Sequence, residues 1–180
     1  MLYTLKELIE IYGNRYKINK AITEKKLFKI ERGIYSDIEN PNGLDVTTKK
    51  YPKAVFTLNS AYYFYDLTDV IPIKDYLAIE LHYKVKKDDS VKFHYITKRL
   101  HKLGITTLKT HNAVINIYDK EKLLIELVRN KNNFGYDYYK EIINNYREIA
   151  YDLDIRKLEE YLEHYKNRKN LLLTIKDEVY

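Results

Sequence analysis

The stretch 15–35, RYKINKAITEKKLFKIERGIY, constrains this chain more than any other, because its hydrophobic period changes partway along. Ile18, Ala21 and Ile22 recur at helical spacing, which leaves Tyr16, Asn19, Lys20 and Thr23 on the opposite face. After Leu27 the pattern alternates: Phe28 and Ile30 flank Lys29, Glu31-Arg32-Gly33 supplies a turn, and Ile34-Tyr35 pairs back as a second strand. Ahead of this stretch, Thr4 and Glu7 fit a capping box. Leu5, Leu8, Ile9 and Tyr12 then repeat along one helix face until Gly13-Asn14 stops it. A short helix, a tight turn, a second helix and a basic hairpin follow the order of a winged helix-turn-helix. In that arrangement the second helix enters the major groove, where base pairs are distinguishable, and the hairpin meets phosphates. Tyr16, Asn19, Lys20 and Thr23 are then base-facing candidates, and Arg15, Lys17, Lys26, Lys29 and Arg32 phosphate-facing ones. The competing reading is a helix-hairpin unit that packs on its neighbours and exposes a solvated basic face.

The distribution of charge sharpens this reading. The net charge is +6. Residues 1–35 carry eight Lys/Arg against four Asp/Glu, a net of +4, and residues 84–102 carry seven against two, a net of +5. The remainder is therefore acidic, and positive charge is concentrated where phosphates would be met. In the second segment Lys84, Lys86, Lys87, Lys92, Lys98, Arg99 and Lys102 have two readings. They are contacts for operator phosphates, tRNA or an acidic protein surface, or they are ordinary charges that discourage strand-edge pairing. Binding to tRNA would rest on phosphates and shape rather than on base reading. The absence of cysteine removes disulfides, thiol chemistry and cysteine-based zinc sites. The longest uncharged run, residues 54–65, is shorter than the roughly 20 residues a membrane helix needs. No apolar signal region opens the chain, and the expectation is a soluble cytoplasmic protein.

The rest of the chain reads as an α+β domain. Residues 37–52, with Pro41-Asn42-Gly43 and Tyr51-Pro52, have the composition of a linker between a DNA-binding domain at 1–36 and a second domain at 53–180. The apolar run 54–65 reads as a helix, although a buried strand would tolerate it too. Strand patterns follow at 76–81, 91–96, 106–109 and 113–118, with 84–89 as a hairpin connection, and a mostly antiparallel sheet is expected. Asp119 caps a helix with Leu123, Leu124, Leu127 and Val128 inward and Lys122 and Arg129 outside. Further helices are expected at 137–146, 154–164 and 171–179.

Catalytic patterns are sparse. The five glycines form no phosphate-cradling loop, and Ser36, Ser60 and Ser90 lie outside any nucleophile-elbow context. A turn role suits Ser60 better. His82, His94, His101, His111 and His164 lack ligand spacing on one helix. A restriction-type nuclease, with carboxylates holding Mg²⁺, finds its nearest match in Asp75 and Glu80-Leu81-His82, where His82 stands in the usual Lys position and Lys84 is two residues late. No cofactor or metal is expected. A protein or RNA interaction module is the other alternative.

Three motifs, in order, carry a family resemblance. Arg32-Gly33-Ile34-Tyr35 ends the hairpin; Val55-Phe56, Ser60-Ala61 and Leu67-Thr68-Asp69 follow; then comes Tyr118-Asp119-Lys120-Glu121-Lys122-Leu123-Leu124-Ile125-Glu126. By these the chain resembles the AbiEi-type antitoxins of abortive-infection toxin–antitoxin systems over nearly its whole length. Tyr62 stands where Leu is commoner, Leu123 where a small or hydroxyl residue is usual, and Glu126 where Asp is usual. The resemblance implies a non-enzymatic type IV antitoxin. Its winged helix would repress its own operon by binding the upstream operator DNA. Its C-terminal domain would counteract an AbiEii-type nucleotidyltransferase-like toxin, with or without stable contact. Ser60, Asp119, Glu121, Lys122 and Glu126 are the candidate residues of that domain.

Overall fold

The computed structural model describes residues 1–86, 88–110 and 113–180, so Lys87 and His111 lie outside the described residues. The fold is a mixed α+β one, with helices and strands intermingled at the N-terminal end and helices closing the chain. It divides into two compact units: Met1–Lys53 with Lys109–Ile115, and Ala54–Leu108 with Asn116–Tyr180.

In the first unit, β1 (Leu2–Thr4) leads directly into α1 (Leu5–Tyr12). Thr4 and Glu7 form the expected capping box, each closing an otherwise orphaned N–H of the other. Gly13, at φ 82°, closes α1 in a backbone conformation that costs glycine little, and the Asn14 side chain caps α2 (Arg15–Thr23) at once. Leu8, Ile18, Ala21 and Leu27 are buried together, with Tyr3, Leu5, Tyr12, Ile22 and Tyr35 packed around them. The hairpin β2 (Phe28–Glu31) and β3 (Ile34–Ser36) joins β1 in a three-stranded sheet of order β1-β3-β2. The segment 37–52, read above as linker, instead carries α3 (Gly43–Lys50), capped by Asn42 and packed on β1 and β3. Lys49 and Lys50 at its end pair with Glu7 (2.8 Å) and Glu31 (2.5 Å). These ion pairs tie a segment with few apolar side chains to the rest of its unit.

The second unit departs from the expected sheet. The run 54–65 splits into a two-residue strand β4 (Val55–Phe56) and a helix α4 (Leu58–Phe64), because Leu58 adopts left-handed backbone (φ 44°) and turns the chain within one residue. That conformation costs a branched side chain on the order of 1–2 kcal/mol, and the buried Leu58 offsets it by packing in the core. Next come β5 (Asp75–Glu80), β6 (Val91–Ile96), the single-turn α5 (Lys98–His101), β7 (Ile105–Lys109) and β8 (Val114–Tyr118). The sheet order is β6-β5-β4-β8-β7.

β4 and β5 run antiparallel, whereas β5 with β6 and β4 with β8 are parallel. The sheet is therefore mixed rather than mostly antiparallel. The start of β6 pairs with the start of β5, Val91 beside Asp75, so the two strands are not the halves of a hairpin. Four helices complete the unit: α6 (Lys120–Arg129), α7 (Tyr136–Glu148), α8 (Ile155–Leu162) and α9 (Arg168–Val179). Tyr139, Ile142, Ile143 and Tyr146 of α7 face inward, as do Leu158, Tyr161 and Leu162 of α8, matching their apolar spacing. Among the described residues, no helix is long and apolar enough to cross a membrane.

Candidate functional site

The first candidate region is the outer face of α2 with the hairpin behind it. Burying Ile18 and Ala21 turns Tyr16, Asn19, Lys20 and Thr23 to solvent, with Tyr16 77% exposed. Arg15, Lys17, Lys26, Lys29 and Arg32 are exposed as well. Gly33, at φ 88°, makes the tight hairpin turn beside Arg32. Two local contacts modify this face. The Thr23 hydroxyl donates to the Asn19 carbonyl (3.0 Å), so its donor is engaged along its own helix. Glu24 pairs with Lys26 (2.7 Å) and lies 3.8 Å from Lys20. The pair with Lys26 holds the Glu24 carboxyl below its ordinary pKa and the Lys26 ammonium above its own. An anion arriving at this face would compete with Glu24 for both lysines.

The second region is α6, and here one expectation is corrected. Periodicity places Lys122 outside, yet Lys122 is completely buried, as is the whole run Glu121–Val128 apart from traces of surface. Helix α6 packs against α4, α8 and α9, so no face is left to solvent except at its ends. A buried ammonium must be matched by charge and hydrogen bonds. Glu126, one turn on, places Oε1 2.8 Å from Lys122 Nζ, and Lys122 also donates to the hydroxyl of Tyr165. Tyr165 in turn donates to the same Glu126 oxygen at 2.7 Å. The rings of Tyr118 and Tyr165 lie 5.5 and 4.8 Å from the ammonium, within cation–π range.

Arg129 reaches Glu126 Oε2 at 2.7 Å, and one carboxylate thus serves two cations. Burial works to raise the Glu126 pKa, but Lys122, Arg129 and the hydrogen bonds from Lys122 and Tyr165 outweigh it and hold the carboxyl below its usual range. The Tyr165 phenol is pushed up by burial and by Glu126, so it stays a donor.

The carboxylates at the start of α6 are equally committed. Asp119 accepts from the Lys122 N–H (2.9 Å) as N-cap, from the Tyr161 hydroxyl (2.9 Å), and pairs with Lys157 (2.7 Å). Glu121 accepts from the backbone N–H of Asp154 at 2.9 Å, fixing the start of α8. Ser60, fully buried on α4, accepts the Tyr76 N–H at 2.9 Å and ties that helix to β5. All five candidate residues of this unit are therefore interior groups that hold elements together. Tyr62, at a position where the resembling family more often has Leu, is buried and donates to the Leu123 carbonyl at 3.3 Å.

The remaining candidates separate. Lys84, Lys86, Lys92, Lys98, Arg99 and Lys102 are exposed, but Arg99 donates to the His164 carbonyl at 2.7 Å and Lys92 lies over the Tyr76 ring. Asp75 and Glu80 stand at opposite ends of β5. At about 3.3 Å per residue they are on the order of 16 Å apart, too far to share one ion. Among the described residues, no group of three His, Asp or Glu side chains is placed to hold a metal.

Sequence reasoning missed the partners of α6, above all Tyr161 and Tyr165. Their signal was Lys122 and Glu126 flanking the apolar run Leu123–Ile125, a charged pair whose burial requires compensation from elsewhere in the chain. No known family model matches the chain. No curated protein sequence matches it either.

Proposed function

We propose that this chain is a DNA-binding antitoxin that represses its own operon. In this reading α1, α2 and the β2–β3 hairpin form a winged helix-turn-helix. The observation that carries it is the exposed α2 face, where Tyr16, Asn19 and Lys20 stand clear of the core with Lys29 and Arg32 exposed on the adjoining hairpin. Helix α3, packed on β1 and β3, supplies the support that a leading helix gives in larger winged helices. The neutralising half rests on the order of the motifs that resemble AbiEi-type antitoxins, and its partner is a nucleotidyltransferase-like toxin in the cytoplasm. The burial of Asp119, Glu121, Lys122 and Glu126 supports a role for these groups in the shape of the C-terminal unit, leaving its outer surface to act on the toxin or its substrate. The separation of Asp75 and Glu80 argues against the restriction-type nuclease.

The test is binding of the purified full chain to DNA upstream of its own gene, against scrambled duplex, across a salt series. Tight, salt-sensitive binding with clear preference for the upstream DNA is expected. Weak binding that is equal on both duplexes would overturn the repressor reading and turn attention to tRNA and protein partners.

A further inference from the structure

The C-terminal unit contains a cleft of about 610 Å³ between α5, the end of α6, residues 164–167 and one side of α9. Its volume lies within the roughly 300–1,000 Å³ of small-molecule sites. Val128, Tyr165 and Leu171 are buried and give it an apolar floor. Arg99, Arg129, Lys131 and Lys166 stand on its walls.

The charges of this lining do not cancel. Among the lining residues Glu178 is the single carboxylate, and it is neutralised by Lys131 at 2.5 Å. Arg99 is held through the neutral carbonyl of His164, which orients its guanidinium and leaves its charge uncompensated by that contact. Behind the wall, Glu126 is shared between Lys122 and Arg129, so that trio keeps one positive charge over. Arg129 is fixed from behind by Glu126 and lies 5.7 Å from the Tyr165 ring, and a guanidinium so placed still has donors to offer. The result is a partly apolar cleft with prearranged cations, in which the amides of Asn132, Asn167 and Asn170 add donors and acceptors suited to the edge of a base. A bare anion would use the cations and leave the apolar floor and the amides without a partner.

We infer that this cleft binds a nucleoside phosphate, with Arg99, Arg129 and Lys166 receiving the phosphates and the Val128–Tyr165–Leu171 floor receiving the nucleoside. The site is independent of the DNA-binding reading, since every lining residue belongs to the second unit.

The test is calorimetric titration of the full chain with ADP, GDP, CDP and UDP, and separately with inorganic phosphate and pyrophosphate. Saturable binding of at least one nucleotide is expected, weakening as salt is raised. Arg99→Ala should raise its Kd by roughly tenfold or more. So should Lys166→Glu, which touches no hydrogen bond described above and keeps the fold as its own control. Lys29→Ala with Arg32→Ala, and Lys84→Ala with Lys86→Ala, should leave nucleotide binding unchanged. Three outcomes would overturn the assignment: no binding at millimolar nucleotide, undiminished binding by Lys166→Glu, or pyrophosphate binding as tightly as every nucleotide. Loss of binding in the Lys29/Arg32 variant would move the site to the first unit and overturn it as well.

Discussion

Lys122 Nζ and Glu126 Oε1 lie 2.8 Å apart inside the C-terminal unit, four residues apart on α6 and both shielded from water. Removing one partner strands the other charge. Glu126→Gln is expected to destabilise the unit by roughly 3–5 kcal/mol, and Lys122→Met with Glu126→Leu to recover part of that loss, because no buried charge is then stranded and what remains is the Tyr165 hydroxyl without its two partners. Urea unfolding of the single and double variants checks this. Losses that simply add would contradict the coupling.

Gly104 meets the start of α6 so closely that a Cβ there would stand 2.7 Å from the Lys122 Cβ and 2.8 Å from Asp119 Oδ1, at a φ of +68°. Its carbonyl also accepts the Asp119 N–H at 2.7 Å. Neither neighbour can yield, since Asp119 is held by Tyr161 and Lys157. Gly104→Ala should therefore cost at least about 1–3 kcal/mol by overpacking, with backbone strain in addition. A thermal midpoint equal to that of the parent chain would show that the contact relaxes freely.

Glu7 is held to a pKa of about 2 by the ammonium of Lys49, then by the backbone N–H and the hydroxyl of Thr4. Its folded pKa is below the unfolded value of 4.5, so as pH falls the unfolded chain takes the proton first. The link between α1 and α3 thus contributes above about pH 4.5 and fades between there and pH 2. The side chain is 45% exposed, and solvent screening keeps its contribution to stability small. Carboxyl NMR titration should find the low midpoint, and Lys49→Ala should move it towards the ordinary value. An unmoved midpoint would remove Lys49 as the cause.

On the hairpin, Lys29→Ala with Arg32→Ala should weaken DNA binding on every sequence and flatten its salt dependence. Each lost phosphate contact removes about 0.9 from the slope of log K against log salt. An unchanged slope would take the hairpin off the DNA.

Asn19 and Lys20 are expected to act differently. Either residue, replaced by Ala, should change preference among duplexes by about 1–3 kcal/mol if it makes a bidentate base contact. Competition binding with single-base operator variants reads this out, and equal losses on operator and random DNA would count against base reading.

The two helices and the hairpin of the first unit were legible because their signals are local: the Thr4–Glu7 box, the Gly13-Asn14 stop and the Ile18–Ala21 spacing each lie within one turn of the element they define. Helix α3 was hidden because its eight residues hold only Leu44 and Val46 as large apolar groups, and its attachment is through Lys49 and Lys50 to distant carboxylates. Strand patterns revealed β5, β6, β7 and β8 but not their directions: β5 and β6 pair in parallel, and β5 reaches β8 only through β4, a strand too short to show alternation. Lys122 was misplaced for a related reason. Amphipathic spacing assigns a cation to the outside, and the Tyr165 hydroxyl, which joins Glu126 in holding Lys122 inside, lies far along the chain. The sites with the least local signature are thus the ones that depend on the most distant partners.

Strand β4 has a consequence for how the protein is made. Phe56 pairs with Leu77 on one side and with Ile117, 61 residues later, on the other. At about 5–20 residues per second, a ribosome takes on the order of several seconds to synthesise that interval. During that time β4 and β5 can join while the other edge of β4 stands open. A chain stalled or cleaved before Tyr118 would keep that edge exposed beside the apolar α4, a half-built sheet for chaperones and proteases to find.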